Sequence, residues 1–103
     1  MAQVPEYKDP DATVLLSLDW SAWLTARATT ISASVWAAWK LNADGTRSST
    51  IELTLAGAAN TATGTSVKAS AGVLGAKYFA TNRITTLSGL IEDESIPIEM
   101  IER

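Results

Sequence analysis

The run Tyr78-Phe79-Ala80-Thr81-Asn82-Arg83-Ile84-Thr85-Thr86 constrains this chain more than any other stretch. β-Branched and aromatic residues dominate it, so it reads as a strand, and Leu87-Ser88-Gly89 closes it in a turn. A last strand follows over Leu90 to Ile101, with Ile96, Ile98 and Met100 on one face. Pro97 points the other way and cannot donate to a ladder, which predicts a sheet edge or a bulge there.

The rest of the chain repeats this pattern of short strands and turn signals. Thr13 to Leu18 is the first strand of the body, with Val14, Leu16 and Leu18 on one face. Asp19 is placed to accept an amide two or three residues on and so start a helical turn, whose Trp20, Trp23 and Leu24 share a face and plug one end of the domain. Thr29 to Trp39 is a strand. Ile31, Ala33, Val35, Ala37 and Trp39 fall on one side of it, and Ser32, Ser34, Trp36 and Ala38 on the other. Asn42-Ala43-Asp44-Gly45 predicts a turn, Ile51 to Leu55 an alternating strand, Gly57 to Asn60 a loop, Thr61 to Ala69 a Thr-rich strand, and Gly72 to Gly75 another turn. Residues 1–12 carry Pro5 and Pro10 and read as an extended arm; residues 13–103 form one domain. Strands throughout, with a helical signal only near Trp20, predict an all-β sandwich rather than an α/β domain.

A tyrosine opening a strand late in such a domain is a mark of immunoglobulin-like antiparallel sandwiches, where its hydroxyl returns to the backbone of the preceding corner. Tyr78 is expected to do this, with Ala80 standing where antibody domains carry a cysteine.

Composition narrows the function. With no His and no Cys among 103 residues, Ser–His and Cys–His nucleophile pairs and thiolate or imidazole metal sites are excluded. The absence of Cys also fits a protein made in a reducing cytosol. No S-x-x-K spacing supports a Ser–Lys pair. The densest carboxylate cluster, Glu92-Asp93-Glu94, alternates faces along a strand and reads as a solvated strand start. The chain is therefore expected to have no catalytic residues, cofactor or metal. Its net charge of -3 with no basic cluster argues against nucleic acid, and no apolar segment reaches membrane-spanning length. Only 18% of residues are charged, which suits strands that lie against other protein. Trp36 and Trp39 face opposite ways along their strand, so one of them is a candidate interface anchor. Tyr7, Lys8, Asp9 and Pro10 in the arm, together with Arg83, complete the candidate contact residues.

Four segments occur in an order that resembles a known family: Tyr7-Lys8-Asp9-Pro10-Asp11-Ala12, Asp19-Trp20-Ser21-Ala22-Trp23-Leu24, Ile31-Ser32-Ala33-Ser34-Val35-Trp36, and Thr81-Asn82-Arg83-Ile84-Thr85-Thr86. Asn60-Thr61-Ala62-Thr63 fits the same pattern, which is similar to that of the fiber-tail adaptor proteins of tailed bacteriophages. The chain departs from it between Ala37 and Thr50 and in a less basic last strand. The resemblance implies an immunoglobulin-like virion protein assembled in the host bacterial cytoplasm. It would join tail or head–tail components through its arm and strand edges, as a homo-oligomer or ring. Its partners would be phage structural proteins: tail hub, tail fibre, adaptor or capsid. Two alternatives stand beside this reading, a capsid decoration protein and a carbohydrate-binding module with an exposed Trp36 or Trp39.

Overall fold

The computed structural model describes residues 6–48 and 52–101. Its elements are β1 (Glu6–Lys8), β2 (Val14–Asp19), α1 (Ser21–Ala26), β3 (Ile31–Leu41), β4 (Arg47–Ser48), β5 (Leu53–Asn60), β6 (Gly64–Ala71), β7 (Lys77–Thr86) and β8 (Ile91–Met100). They form two sheets packed as a sandwich, a five-stranded one in the order β1-β8-β7-β3-β4 and a three-stranded one in the order β2-β6-β5. All pairings are antiparallel except β1 beside β8, which is parallel.

The period-two pattern explains which faces meet. Leu16 and Leu18 of β2, Val67 and Ala69 of β6, and Leu53 of β5 are buried from one sheet. Tyr78, Ala80 and Ile84 of β7, and Ile96, Ile98 and Met100 of β8, are buried from the other. At the end of the sandwich where β7 turns into β8, Trp20, just before α1, and Leu24 within it drop into the core, each only 1% exposed. Asp19 accepts the Ser21 amide at 2.9 Å, as its position two residues upstream predicts. Burying a leucine of this kind stabilises the fold by about 2–3 kcal/mol.

The Asn60–Thr63 segment has a mechanical use in this arrangement. The carbonyl of Thr63 accepts the Trp20 amide and the carbonyl of Ala62 accepts the Ile31 amide, both at 2.9 Å. One loop thus holds the chain on both sides of α1. The loop itself is closed by Thr61, whose amide donates to the Gly64 carbonyl and whose hydroxyl accepts the Gly64 amide.

Several expectations are corrected. Gly57 to Asn60 is strand and not loop: β5 runs on to Asn60, with its register to β6 shifting between Ala56 and Ala59. Gly57 sits there at φ +65°, so the irregularity is absorbed as a bulge and pairing resumes. The next strand begins at Gly64 rather than Thr61. In β3 the register shifts between Ile31 and Ala33, which moves Ile31 to the buried side, while Ala33, Val35, Ala37 and Trp39 share the outward side. Pro97 lies in a strand with neighbours on both sides, but β1 covers only Ile98 to Met100, so among the described residues Pro97 stands one position beyond that cover. Ile51 lies outside the described residues.

Candidate functional site

The outward face of the five-stranded sheet is built mainly from β3, β7 and β8, with β4 and β1 at its sides, and the register arranges its side chains in rows. Trp39, Phe79 and Pro97 form one row, Ala37, Thr81 and Ser95 the next, and Val35, Arg83 and Asp93 the third. Successive rows are two residues apart along each strand, about 7 Å. A fourth row, Lys77, Glu99 and Tyr7, lies beyond the aromatic one. The face therefore passes from charge through aromatic and small hydroxyl rows to a second charged row.

Each row is fixed by its own chemistry. Trp39 stacks on Phe79 with ring centroids 4.3 Å apart and 12° between planes, and the Arg47 guanidinium lies 4.4 Å from the Trp39 centroid. Trp39 Nε1 donates to Thr81 Oγ1 at 3.2 Å, and Thr81 Oγ1 is 2.8 Å from Ser95 Oγ. Arg83 grips Asp93 with two bonds, Nε to Oδ1 at 2.7 Å and Nη2 to Oδ2 at 2.9 Å, and this pairing holds the Asp93 carboxyl below its ordinary range. Lys77 pairs with Glu99 at 3.1 Å. Between the aromatic and charged rows lies a groove of about 330 Å³, lined by Val35, Ala37, Trp39, Arg47, Thr81 and Arg83 among others. Val35 is 62% exposed at its side.

The contact residues expected from sequence divide three ways. Tyr7, Trp39 and Arg83 come together on this face. Trp36 turns inward against the core, and its Nε1 is buried without a hydrogen-bond partner. Lys8 is fully buried: its ammonium donates to the carbonyls of Asp9 at 2.9 Å and Ala71 at 2.6 Å, which clips β1 to the end of β6. Burial pushes that ammonium below its ordinary pKa, while Asp9 and Asp11 pull the other way. Asp9 and Pro10 form the turn that follows. The Ala12 amide donates to the Asp9 carbonyl and the Asp11 amide to the Asp9 carboxylate, with Pro10 at the second turn position, where its fixed φ fits.

Stacking on Trp39 has a consequence for ligands. Phe79 and Arg47 flank the indole, and Trp36 is packed inward, so neither ring presents the free flat face on which a sugar would stack. Among the described residues, no group of three or more His, Cys, Asp or Glu side chains is placed to hold a metal ion, and no helix is long and apolar enough to cross a membrane.

Sequence reasoning missed Phe79, Pro97, Val35, Asp93 and Arg47 as members of the face. Alternation along each strand gives their parity, but only the pairing of β4, β3, β7 and β8 makes them neighbours. It also missed the β7–β8 tip, where Leu87, Leu90 and Ile91 are 75%, 42% and 63% exposed. That tip is held stiffly. The Thr86 amide donates to the Leu90 carbonyl, the Leu90 amide to Thr86 Oγ1, and the Leu87 amide to the Thr30 carbonyl. A backbone already held by these bonds has less freedom to lose on binding, which favours docking.

A family model described as Podophage GP4 fiber-tail adaptor protein gp77 matches residues 8–99, from the buried lysine of β1 almost to the end of β8. Searches of curated proteins and of solved structures found no match.

Proposed function

The chain belongs to the podophage GP4 fiber-tail adaptor protein family, and on that premise we propose that it joins the tail fibre to the tail by offering two preformed protein-binding surfaces. One is the outward face carrying Trp39, Phe79 and Arg83; the other is the apolar tip of Leu87, Leu90 and Ile91. The observation that carries this reading is the family match across nearly the whole sandwich. The position of the two surfaces supports it. The Trp39 row lies toward the β1 end of the sheet and the tip lies at the α1 end, in a molecule 41 Å long, so the two surfaces are centred toward different ends.

The immunoglobulin-like reading belongs to the same proposal. It is supported by the parallel seat of β1 beside the last strand and by Tyr78, whose hydroxyl accepts the Val73 amide at 3.0 Å across the preceding corner. The protein acts by shape and not by turnover, and its place is the virion.

Imaging phage particles assembled without this protein tests the proposal. Heads and tails should form and the fibres should be missing. Particles that carry their full set of fibres would refute it, and particles with fibres but unstable heads would favour the capsid-decoration reading.

A further inference from the structure

We propose that β2 is a self-association edge through which two copies of this chain pair antiparallel, joining their three-stranded sheets into one continuous sheet. The inference does not depend on which virion proteins the adaptor grips.

The argument starts from how the four sheet edges are finished. A free strand edge presents unpaired amides and carbonyls that template pairing with other chains, and proteins blunt such edges with short strands, bulges, prolines or charges. Among the described residues, three edges here are blunted. β1 is three residues long and is followed by Pro10; β4 is two residues long and carries Arg47; β5 is interrupted by the bulge at Gly57. β2 is not. It pairs with β6 in unbroken register over six residues, has no Gly or Pro, and is uncharged from Val14 to Leu18. No described strand lies on its other side. Leu15 stands on its outward face, 63% exposed, where a solvated edge would carry a charge.

The occupant is a second copy because pairing about a two-fold axis closes. Each chain has one such edge, so two copies consume both and leave none for further growth, whereas a foreign strand laid on β2 would present a new edge of its own. The sequence is also self-complementary in one register. With Leu16 opposite the second copy's Leu16, Val14 faces Leu18, Leu15 faces Ser17, and Asp19 faces the uncharged Thr13. The two Leu15 side chains then become diagonal neighbours within reach of each other. Centring the pair on Leu15 instead would oppose Asp11 and Asp19, two like charges. Centring it on Ser17 would set Leu15 against Asp19. Both alternatives are worse by charge or by polarity.

Sedimentation equilibrium of the full chain tests this directly. The wild type should be a dimer. Leu15→Lys places two cations diagonally across the axis and should weaken the dimer about tenfold or more, with an unchanged circular dichroism spectrum because Leu15 is exposed. The register is tested with cysteines, which the chain otherwise lacks. Leu15→Cys mixed with Ser17→Cys should form a disulfide between copies on oxidation, and Thr54→Cys on β5 should not cross-link to either. A wild type that stays monomeric at every concentration, or a dimer that Leu15→Lys leaves intact, would overturn the proposal. So would cross-linking through β5 in place of β2. None of these results bears on fibre attachment, so this proposal and the adaptor reading fail separately.

Discussion

Asn82 shows at the scale of one residue how a polar side chain can hold a core together. It is fully buried and uses its whole amide: Oδ1 accepts from Trp20 Nε1 at 3.0 Å and Thr65 Oγ1 at 2.7 Å, while Nδ2 donates to Ser34 Oγ at 2.8 Å and the Val35 carbonyl at 3.1 Å. One residue thereby ties the N-cap of α1, β6 and β3 to β7. Asn82→Ala leaves several buried groups unsatisfied together and should cost about 3 kcal/mol or more in urea unfolding, well above an ordinary surface change. Tyr78 is the second such residue. Its hydroxyl returns to the preceding corner by accepting the Val73 amide, and it also donates to Glu52 Oε1 at 2.6 Å, so Tyr78→Phe would strand a backbone donor. That variant should lose about 1–2 kcal/mol. Burial, then the Glu52 bond, raises the Tyr78 pKa to about 12 from 10.0. A raised folded-state value means the stabilisation is whole below the unfolded value near 10 and is lost as pH climbs toward 12. Melting temperatures across that window should fall more steeply in the wild type than in Tyr78→Phe, and parallel curves would count against the coupling.

At the scale of elements, turn chemistry was easier to read than strand continuity. Asn42 to Gly45 turns as its residue types require, with the Gly45 amide donating to the Asn42 carbonyl and Gly45 at φ +88°. Gly57 uses the same freedom for the opposite end, keeping a strand going through a bulge. Sequence could not separate the two uses, because a positive φ serves a turn and a bulge equally. Gly57→Val tests the bulge. Open space surrounds the position except for Lys68 Cδ at 3.8 Å from a built Cβ, so any loss comes from backbone strain. A β-branched residue at that φ should cost about 1–2 kcal/mol in thermal or urea unfolding, and a neutral result would mean that the bulge relaxes. The arm behaved likewise. Glu6–Lys8 is extended, as a strand beside β8, while residues 1–5 lie outside the described residues and Pro10 stands in a turn. The burial of Lys8 was not legible, since a lysine ordinarily reads as solvent-exposed.

Across the whole molecule, the proposed function rests on faces assembled from strands far apart in the chain. Arg83→Glu would break the bidentate pair and oppose two carboxylates on the outward face. Both groups are largely exposed, so the fold should lose no more than about 1 kcal/mol. Fibre attachment to purified particles should nevertheless drop sharply, and retention of fibres would remove Arg83 from the contact. The amino-acid sequence by itself determined the all-β class, the helical plug at Trp20, the tyrosine corner and the lack of His and Cys chemistry. Each of those follows from residue type and local period, which act over a few positions. Tertiary structure alone decided which strands lie side by side, and with that the rows of the outward face, the burial of Lys8 and Asn82, and the place of β2 at the edge of its sheet among the described residues. Pairing partners are set by the packing of two sheets against a shared core, and no local pattern encodes which strand a given strand will meet.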